Sequence, residues 1–397
     1  MAVAPVSQYS QKKYNFADES LKIRDFQVEL PFTGKTEITP ANKIVNVEID
    51  TIDAHYVTDT LNSQSNYLEW KGIGTKELLN QIKYINASNA VCNSEAFCRI
   101  AEGYAGIEVP HYAQKMRIIF NEFERISNHF SVLANISQTI HIDVLHGELL
   151  WQKEKILKMN KDIFDSRVFA EINIIGGISE RMHNMMRFVS ATAHNILEYY
   201  KGIKSVFYEN KAIISVLKDI GVLTEATARI LDISGPAAKA SNICSDKRLD
   251  IYRQYLQEFN PISLNGGDCY ARTLIRVREI SQSLSIICEI IDSIGTPEEN
   301  TVRQNKSKAS SMTRTGECAY EQSEGKVTMT VKFDENMSVK SFEVMTPKRE
   351  LLRAMKSALI GNDFNDMPVI MATFNHCDFG TDLSSDHWPE PELRSLA

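Results

Sequence analysis

The chain has 397 residues, 43% of them hydrophobic and 24% charged, which is the composition of a folded globular protein with a substantial core. Its formal net charge of -7 and pI near 5.8 argue against nucleic acid as the main partner, because such binding calls for a basic face. No uncharged apolar run approaches the roughly 18 residues of a membrane-spanning helix, so we do not expect this chain itself to span a membrane.

Cysteine usage favours a reducing, cytoplasmic location. The seven cysteines form an odd, scattered set without disulfide-framework spacing, at positions 92, 98, 244, 269, 288, 318 and 377. The first residues, Met-Ala-Val-Ala-Pro, lack the charged region and apolar core of a secretory signal. We therefore expect any membrane association to come through partner subunits.

The first elements along the chain are a polar arm and a small sheet. Residues 1–25 are polar and irregular, which indicates an arm that docks on a neighbour or stays loose. Near Lys43 strand alternation begins, and Val45, Val47 and Ile49 are predicted to point to one face. The residues between them are polar, so one face of this sheet should be buried.

Helical periodicity then dominates the middle of the chain. Pro110 suits a helix start, and the apolar positions that follow it at helical spacing are Met116, Ile119, Phe123, Ile126, Phe130 and Leu133. Further helices are predicted at about 148–166, 180–205 and 270–294. The last has a near-heptad apolar stripe, typical of bundle helices, at Val277, Ile280, Leu284, Ile287, Ile291 and Ile294.

The C-terminal part returns to strand patterns. Residues 296–324 are polar and are interpreted as an exposed loop. Residues 327–333 alternate strictly between apolar and polar, and residues 334–336 offer a turn, which predicts a hairpin. A short helix is predicted from Arg349 to Ile360.

Together these patterns predict an α+β fold that is mainly α. A central helical bundle is flanked by small antiparallel β-sheets formed by the N-terminal and C-terminal segments. Behind the arm, residues 26–397 are expected to form a single domain. Within it, residues 26–65 supply the N-terminal sheet, residues 66–300 the bundle, and residues 301–397 the hairpin, a helix and an end segment.

One stretch resembles a metal-binding motif without its ligands. Residues 85–98 read Ile-Asn-Ala-Ser-Asn-Ala-Val-Cys-Asn-Ser-Glu-Ala-Phe-Cys. They are similar to the first cysteine motif of membrane-bound nickel-iron hydrogenase large subunits, in which Cys-x-x-Cys precedes Ala-Phe-Cys. Counting back from Cys98, the ligand positions hold Asn86 and Asn89.

Further segments resemble the same superfamily, which joins these hydrogenase subunits to the D subunit of NADH-quinone oxidoreductase, the quinone-site subunit of complex I. In chain order they are residues 121–129, 172–177, 220–223, 233–248 and 267–272. The last resembles the family's Gly-Asp-x-x-x-Arg helix. The order of the segments implies that the family resemblance extends over most of the chain.

The second hydrogenase cysteine motif, Asp-Pro-Cys-x-x-Cys, matches the segment Asn-His-Cys-Asp-Phe-Gly near the C-terminus. Cys377 is kept, whereas Gly380 stands where the last ligand would be. Nickel-iron centres are held by thiolates, which are soft anionic donors, and an asparagine amide is neutral. The resemblance therefore implies a scaffold without a nickel-iron centre, although His376 beside Cys377 leaves another metal open as an alternative.

The resemblance also implies a quinone site. Complex I relatives have His-Arg-Gly-x-Glu-Lys-Leu at a strand end, with the His facing the quinone, and the matching stretch here keeps His55 and has Asp59 in place of Glu. An imidazole can donate a hydrogen bond to a quinone carbonyl and supply a proton, so these two residues are the candidate catalytic pair. A structural role for His55 is the alternative. The family's quinone-contacting Tyr falls near Ala87 and its relay acid at Thr139, so both differ here.

Charged residues also recur in the bundle at positions where burial requires pairing. They are Glu122, Glu124, Arg125, His129, Asp246, Arg248, Asp268, Arg272, Arg276 and Glu279. They either form structural salt bridges or, near the former metal cavity, relay protons. The foremost candidates are His129, Asp246, Arg248, Asp268 and Arg272.

The implied function is that of a subunit of a membrane-bound complex I-like or hydrogenase-related respiratory oxidoreductase, rather than a stand-alone enzyme. We expect it to lie peripherally on the cytoplasmic face of the cell membrane, with an iron-sulfur subunit that holds the cluster and antiporter-like integral membrane subunits as partners. It would bind quinone or couple electron transfer to ion translocation. NADH would bind elsewhere, because this sequence has no Gly-rich dinucleotide loop. The alternatives are a non-catalytic scaffold subunit and a hydrogenase with unusual ligands.

Overall fold

Twelve α-helices and eight β-strands make up the part of the chain that the structure describes. The structure is a computed structural model, and it describes residues 22–28, 32–51, 74–83, 86–168, 170–182, 184–294, 314–335 and 338–375. The helices are α1 (Thr75–Ile82), α2 (Ala90–Ala105), α3 (His111–Thr139), α4 (Asp143–Phe164), α5 (Met186–Glu209), α6 (Lys211–Leu217), α7 (Glu225–Ile230), α8 (Gly235–Ala240), α9 (Leu249–Tyr252), α10 (Cys269–Ser293), α11 (Lys348–Leu359) and α12 (Met367–Thr373). The strands are β1 (Lys22–Val28), β2 (Phe32–Ile38), β3 (Ile44–Thr51), β4 (Asn173–Ile174), β5 (Gly177–Ile178), β6 (Arg314–Gln322), β7 (Gly325–Phe333) and β8 (Val339–Met345).

Four long helices, α3, α4, α5 and α10, pack around one apolar core. Both α3 and α5 contact α4 and α10, so the four helices close into a bundle. The stripe predicted for α3 is buried from Met116 to Leu133, and the helix begins at His111 directly after Pro110. The predicted mainly helical α+β fold with flanking antiparallel sheets is confirmed. None of the described helices is both long and apolar enough to cross a membrane.

The predicted helix boundaries differ from the observed ones by a few residues. α4 begins at Asp143, five residues before the predicted start. α5 begins only at Met186, because Glu180–Met182 first form a 3-10 turn. α10 and α11 each lie within one residue of their predicted limits. The long periodic stripes therefore located the bundle helices well, and the ends were set by local turns.

The N-terminal sheet has the order β1-β2-β3, with antiparallel neighbours. β1 begins at Lys22, so the last residues of the expected arm lie in a strand. The expectation that Val45 and Val47 share a face is wrong, because Val45 is 43% exposed whereas Val47 is buried. The register shifts where Ile38 pairs with Ile44, which leaves Val45 as an extra residue in a bulge.

The C-terminal sheet, β6-β7-β8, packs on α2. The predicted hairpin is confirmed, since β7 and β8 are antiparallel and the apolar positions from Val327 to Phe333 are buried. The interpretation of residues 296–324 as an exposed loop is wrong for residues 314–322, which form β6. This strand has few apolar residues, and backbone hydrogen bonds along the whole of β7 hold it in the sheet. Its end, including Tyr320, is buried.

The tip of the β6-β7 hairpin lies directly against the start of α8. Gly235 has a φ of +68°, and a Cβ at this position would lie 2.3 Å from the carbonyl oxygen of Glu324. Only glycine permits both this backbone conformation and this close approach. The contact places acidic residues of the hairpin next to the buried side of α8.

Candidate functional site

Two rows of charged residues face each other where α3 packs on α10. On α3, Glu122, Arg125 and His129 recur at spacings of three and four residues, which places them on one face of the helix. On α10, Arg276 and Glu279 have the same relation. All five side chains are buried, so their charges must be balanced by one another and by nearby groups.

These residues form part of a larger set that we call the buried charge network. Its members are Glu122, Arg125, His129, Lys239, Asp246, Arg248, Arg276, Glu279, Glu321 and Glu324. The side chain of Glu324 is 12% exposed, and the other members are buried. The network joins α3, α8, α10, the turn before α9 and the β6-β7 hairpin.

Lys239 lies at the centre of the network. Its Nζ is 2.5 Å from Oε1 of Glu279, 2.7 Å from Oδ2 of Asp246 and 4.0 Å from Oε1 of Glu321. Burial opposes ionisation of both Glu279 and Asp246, but neighbouring cations outweigh it and lower both pKa values. For Glu321, burial and the charge of Asp246 raise the pKa to about 7. The network therefore contains one carboxyl that titrates near neutral pH.

His129 is held as a neutral imidazole. Its Nδ1 lies 3.3 Å from Nη1 of Arg276, which can only donate, so Nδ1 accepts. Its Nε2 then bears the proton and donates to Oε2 of Glu279 at 2.6 Å. Burial lowers the pKa of His129, although the hydrogen bond with Glu279 acts in the opposite direction. Arg276 continues the network through a bidentate pair with Glu324, with both distances 2.7 Å.

Glu122 anchors the other end of the network. Its carboxylate accepts hydrogen bonds from Arg248 at 3.0 Å, from the hydroxyl of Tyr252 at 2.6 Å and from Ser283. Burial opposes its ionisation, yet Arg248 and Arg125 lower its pKa. Arg125 also donates to the backbone carbonyls of residues 321 and 322, at 2.7 and 3.1 Å. The network thereby ties α3 to the hairpin as well as to α9 and α10.

Asp268 and Arg272 lie outside this network. Asp268 is the N-cap of α10 and accepts hydrogen bonds from the backbone N–H groups of Ala271 at 2.7 Å and of Asp219 at 2.8 Å. Of the two roles expected for it, structural pairing and proton relay, these contacts are structural. Arg272 donates to the carbonyl of Gly267, and it also contacts Cys269, Thr373 and the ring of Phe374. Burial lowers the pKa of Arg272. In the described part of the chain, no carboxylate lies within ion-pair distance of its guanidinium.

The two asparagines of the first motif have other partners. Asn86 caps the 3-10 turn before α2 by accepting the N–H of Ser88 at 3.0 Å. Asn89 is buried, and its side-chain oxygen accepts a hydrogen bond from Nδ2 of Asn128 at 3.3 Å. Nδ2 of Asn128 also donates to the hydroxyl of Ser323 in the hairpin at 3.1 Å. These neutral amides do not fit a nickel-iron centre, because they offer no thiolate and their oxygens bind protein donors.

Several predicted site residues lie outside the described residues. These are His55 and Asp59 of the candidate quinone site, and Cys377 and Gly380 of the second motif. Their roles remain predictions, as does the division of the chain into an arm and one domain. Of the foremost charged candidates, the structure brings His129, Asp246 and Arg248 into one network and places Asp268 and Arg272 apart from it.

Two clefts share Glu124 in their lining. The first encloses about 490 Å³ of empty space, including its mouth, and most of the residues that line it are polar or charged, among them Glu95, Arg99 and Glu321. The second encloses about 620 Å³, including its mouth, and apolar residues such as Phe120 and Phe123 line it together with polar ones such as Asn128 and Lys153.

Sequence reasoning missed five buried charged residues, which are Glu95, Glu102, Arg117, Lys239 and Glu321. Lys239 lies in a run of small residues, Pro-Ala-Ala-Lys-Ala. The single charged residue in that run was the only sign in the sequence that it is part of a site. Glu321 was hidden by the loop interpretation of its segment. Arg117 pairs with Glu102 at 2.6 Å, away from the network, and also donates to carbonyls of the β4-β5 region, so this pair ties α2 to α3. Arg117 lies within a predicted helix, and its burial follows only from the packing.

Comparison with protein families identifies the chain. The family model described as "Respiratory-chain NADH dehydrogenase, 49 Kd subunit" matches residues 148–382, which include most of α4 and all of α5 to α12. The chain belongs to this family. The match covers more than half of the sequence and contains most members of the buried charge network. The family resemblance drawn from short motifs is thereby confirmed.

Similar proteins include the D subunit of NADH-quinone oxidoreductase from Rickettsia canadensis (strain McKiel), which is 29% identical over 258 residues, or 61% of this chain and 64% of that protein. The C/D subunit of NADH-quinone oxidoreductase from Bacteroides thetaiotaomicron is 30% identical over 227 residues, or 55% of this chain and 42% of that protein. The chain thus matches less than two thirds of the length of these curated relatives. In fold, it resembles a chain from the archaeal membrane-bound sulfane sulfur reductase, with a TM-score of 0.79, 19% identity and coverage of 92% of this chain and 100% of the other.

Proposed function

We propose that this chain is a subunit of a membrane-bound, complex I-like respiratory oxidoreductase, in which its buried charge network couples electron transfer to proton movement. Membership of the 49 Kd subunit family supports a place in such a complex. The similar fold of a chain from an archaeal respiratory membrane complex agrees with it. The single observation that favours coupling is the network itself, which runs from the hairpin through α3 and α10 to α9.

Stability alone does not account for such a network. Taking charges out of water costs several kcal/mol for each ion, and buried ion pairs are often no more stabilising than apolar residues of similar volume. The network nevertheless contains five carboxylates, four cations and a neutral histidine. A carboxyl with a pKa of about 7, that of Glu321, supplies a group that can exchange a proton near neutral pH.

The electron acceptor in this proposal is a quinone or a related small acceptor. His55 and Asp59 are its proposed contacts, because they stand in the matching position of the family's quinone motif. Quinone supplies the two-electron acceptor, and His55 supplies a hydrogen bond and a proton to its carbonyl oxygen. No nickel-iron centre is proposed, because Asn86 and Asn89 occupy two ligand positions as neutral amides.

The remaining components are proposed to belong to partners. An iron-sulfur subunit would hold the cluster that delivers electrons, and antiporter-like integral membrane subunits would move the ion. The chain would then lie peripherally on the cytoplasmic face of the membrane. Its cysteines lack cluster-ligand spacing, which agrees with a cluster held elsewhere.

A second candidate function is that of a non-catalytic scaffold. The engagement of Asn86 and Asn89 in capping and in hydrogen bonds with Asn128 favours it, because the former ligand loop has a purely structural use here. A scaffold would keep its fold and its surface for assembly, and its network would serve only to fix the packing of α3 against α10.

Purification of the native complex through a tag on this chain tests the proposal. We expect co-purification of an iron-sulfur subunit and integral membrane subunits, electron transfer to quinone, hydrogen-evolving activity at background level, and no nickel in elemental analysis. His55→Ala should reduce quinone reduction while leaving assembly intact. An assembled complex with nickel would favour the hydrogenase alternative, and one in which no variant of this chain alters electron transfer or ion movement would favour the scaffold.

A further inference from the structure

Glu124 caps a helix to which it does not belong. Its carboxylate, on α3, accepts the backbone N–H of Val91 at 2.8 Å and that of Cys92 at 3.0 Å, in the first turn of α2. Asn89 stands at the N-cap position of α2 but forms no side-chain capping bond there. Glu124 therefore satisfies N–H groups that the helix leaves open, and the helix dipole favours its ionised form.

Glu124 forms no ion pair among the described residues, although the charge of Arg125 acts to lower its pKa. No Lys or Arg nitrogen in the described ranges lies within ion-pair distance of it, in contrast to the carboxylates of the buried charge network. Burial raises the pKa of Glu124 to about 8, and the hydrogen bonds from Val91 and Cys92 act in the opposite direction without outweighing it. Its carboxyl group therefore exists in both protonation states near neutral pH.

The position of Glu124 connects two spaces that are otherwise lined by different residues. It is the single side chain, among the described residues, that lines both the polar first cleft and the more apolar second cleft. The titratable and charged groups that share these clefts with it come from several other parts of the fold and from α3 itself. They are Cys92, Glu95 and Arg99 from α2, Arg125 from α3, Lys153 from α4, Arg248 and Tyr252 from the α9 region, and Tyr320 and Glu321 from β6.

The first cleft leads from Glu124 to the buried charge network. Glu321 lines this cleft and lies 4.0 Å from Lys239 at the centre of the network. Arg125 and Arg248, both members of the network, line the same cleft. Water in the cleft would connect Glu124 with Glu321, since both residues line it.

We infer that Glu124 is the group through which protons pass from the second cleft to the first, and so to the buried charge network. A carboxylate oxygen of Glu124 takes a proton from a protonated water in the second cleft, so that an O–H bond of that water breaks as one forms on Glu124, and it then gives the proton to water in the first cleft, which restores the carboxylate. No electrons move in this step. In both the protonated and the ionised state, one oxygen of Glu124 still accepts a hydrogen bond from the N–H of Val91 or Cys92. The side chain therefore stays in place while the proton is exchanged. The inference adds a residue to the proposed function on which it rests, and the protonation itself can be measured on the full chain alone.

The substitution Glu124→Gln tests the protonation directly. A Gln side chain keeps an oxygen that can accept from Val91 and Cys92, but it does not ionise. Infrared difference spectra of the full chain, recorded between pH 5 and pH 10, should show a protonated-carboxyl component that disappears around pH 8 in the native protein and is absent from E124Q, whereas the separate component of Glu321, which disappears around pH 7, should remain in E124Q. The matched control is Glu148→Gln, an exposed carboxyl on α4, which should keep the component near pH 8. Absence of the component near pH 8 from the native protein, or its survival in E124Q, would overturn the inference.

A second readout tests proton passage in the assembled complex. E124Q should assemble at the native level, and its proton-coupled turnover should fall by roughly 10²-fold and lose the step in its pH profile near pH 8. Unchanged turnover with an unchanged pH profile would overturn the role in passage. If E124Q does not fold, E124D serves in its place, because it keeps an ionisable carboxyl on a shorter side chain. The protonated-carboxyl component should then disappear at a pH different from that of the native protein. A component that still disappears at the native pH would contradict its assignment to residue 124. A complex without respiratory activity would refute the proposed function, but it would not change the infrared titration of Glu124. Failure of the proposed function and failure of the role of Glu124 are therefore distinguishable.

Discussion

Replacement of Lys239 by Met should destabilise the protein more than any surface substitution. Lys239 is buried and has three carboxylates around it, those of Asp246, Glu279 and Glu321. Met keeps a long, unbranched, flexible side chain, so the volume of the site changes little. The substitution therefore removes the positive charge while it leaves most of the packing in place.

The size of the effect follows from the burial of these groups. Removing one partner of a buried ion pair costs about 3–5 kcal/mol, because the other partner is left as an uncompensated charge. Two of the three carboxylate oxygens lie within 2.7 Å of the Nζ of Lys239. Part of the cost will be offset, because Glu321, whose pKa is about 7, can take up a proton. We expect a loss of about 3–5 kcal/mol in the free energy of unfolding at pH 7.

Denaturant unfolding of the full chain, followed by circular dichroism, measures this loss. The control is Arg229→Ala, which removes an exposed ion pair with Glu225, where the two side chains are 59% and 38% exposed, and should change the free energy of unfolding by less than about 1 kcal/mol. A loss in K239M no larger than that in R229A would refute the reasoning. It would mean that Lys239 does not compensate the carboxylates of the network.

Three further predictions concern the same region. Because the folded-state pKa of Glu124 is raised from 4.5 to about 8, the native state binds more protons than the unfolded state between these values, so stability should fall as pH rises through this window. The contribution of Glu124 to this fall should reach up to roughly 5 kcal/mol, so the fall should be smaller by that amount in E124Q, where Glu321 still contributes, as measured by denaturant midpoints at pH 5 and pH 9. Asp268→Ala should cost about 1–2 kcal/mol in unfolding experiments, since it removes the N-cap of α10, and a loss near zero would contradict that role. Gly267→Ala should lower the melting temperature more than Gly202→Ala, because a Cβ at Gly267 would lie 2.3 Å from the carbonyl oxygen of Leu223, whereas nothing lies within 4 Å of one at Gly202. Equal melting temperatures for the two variants would refute it.

The sequence was sufficient for the bundle because its long helices have regular apolar stripes. The stripe of α3 predicted burial from Met116 to Leu133, and the stripe of α10 predicted a second bundle helix. β6 was missed for a physical reason. Its residues are mostly polar or small, and its place in the sheet comes from hydrogen bonds with β7 rather than from its own pattern. The exposure of Val45 likewise depends on a bulge, which alternation alone does not reveal.

The candidate site was predictable in its residues but not in its connections. Helical spacing placed Glu122, Arg125 and His129 on one face, yet the partner of His129 is Glu279, 150 positions away. Contacts at such separations depend on how the helices pack. Lys239 was missed because a lysine among small residues is usually exposed, whereas here three carboxylates make its burial favourable. Charge spacing therefore predicted that a network exists, and only the structure supplied its centre.

The coupling role of the buried charge network is the central claim, and Glu279→Gln in the native membrane complex tests it most directly. Glu279 links Lys239 to His129, and Gln preserves its shape while it removes its charge. The measurement is the ratio of protons moved to electrons transferred in sealed vesicles, with the amount of assembled complex as the control. We predict that E279Q assembles at the native level and that this ratio falls to near zero. An E279Q complex with the native ratio would contradict the coupling role of the network.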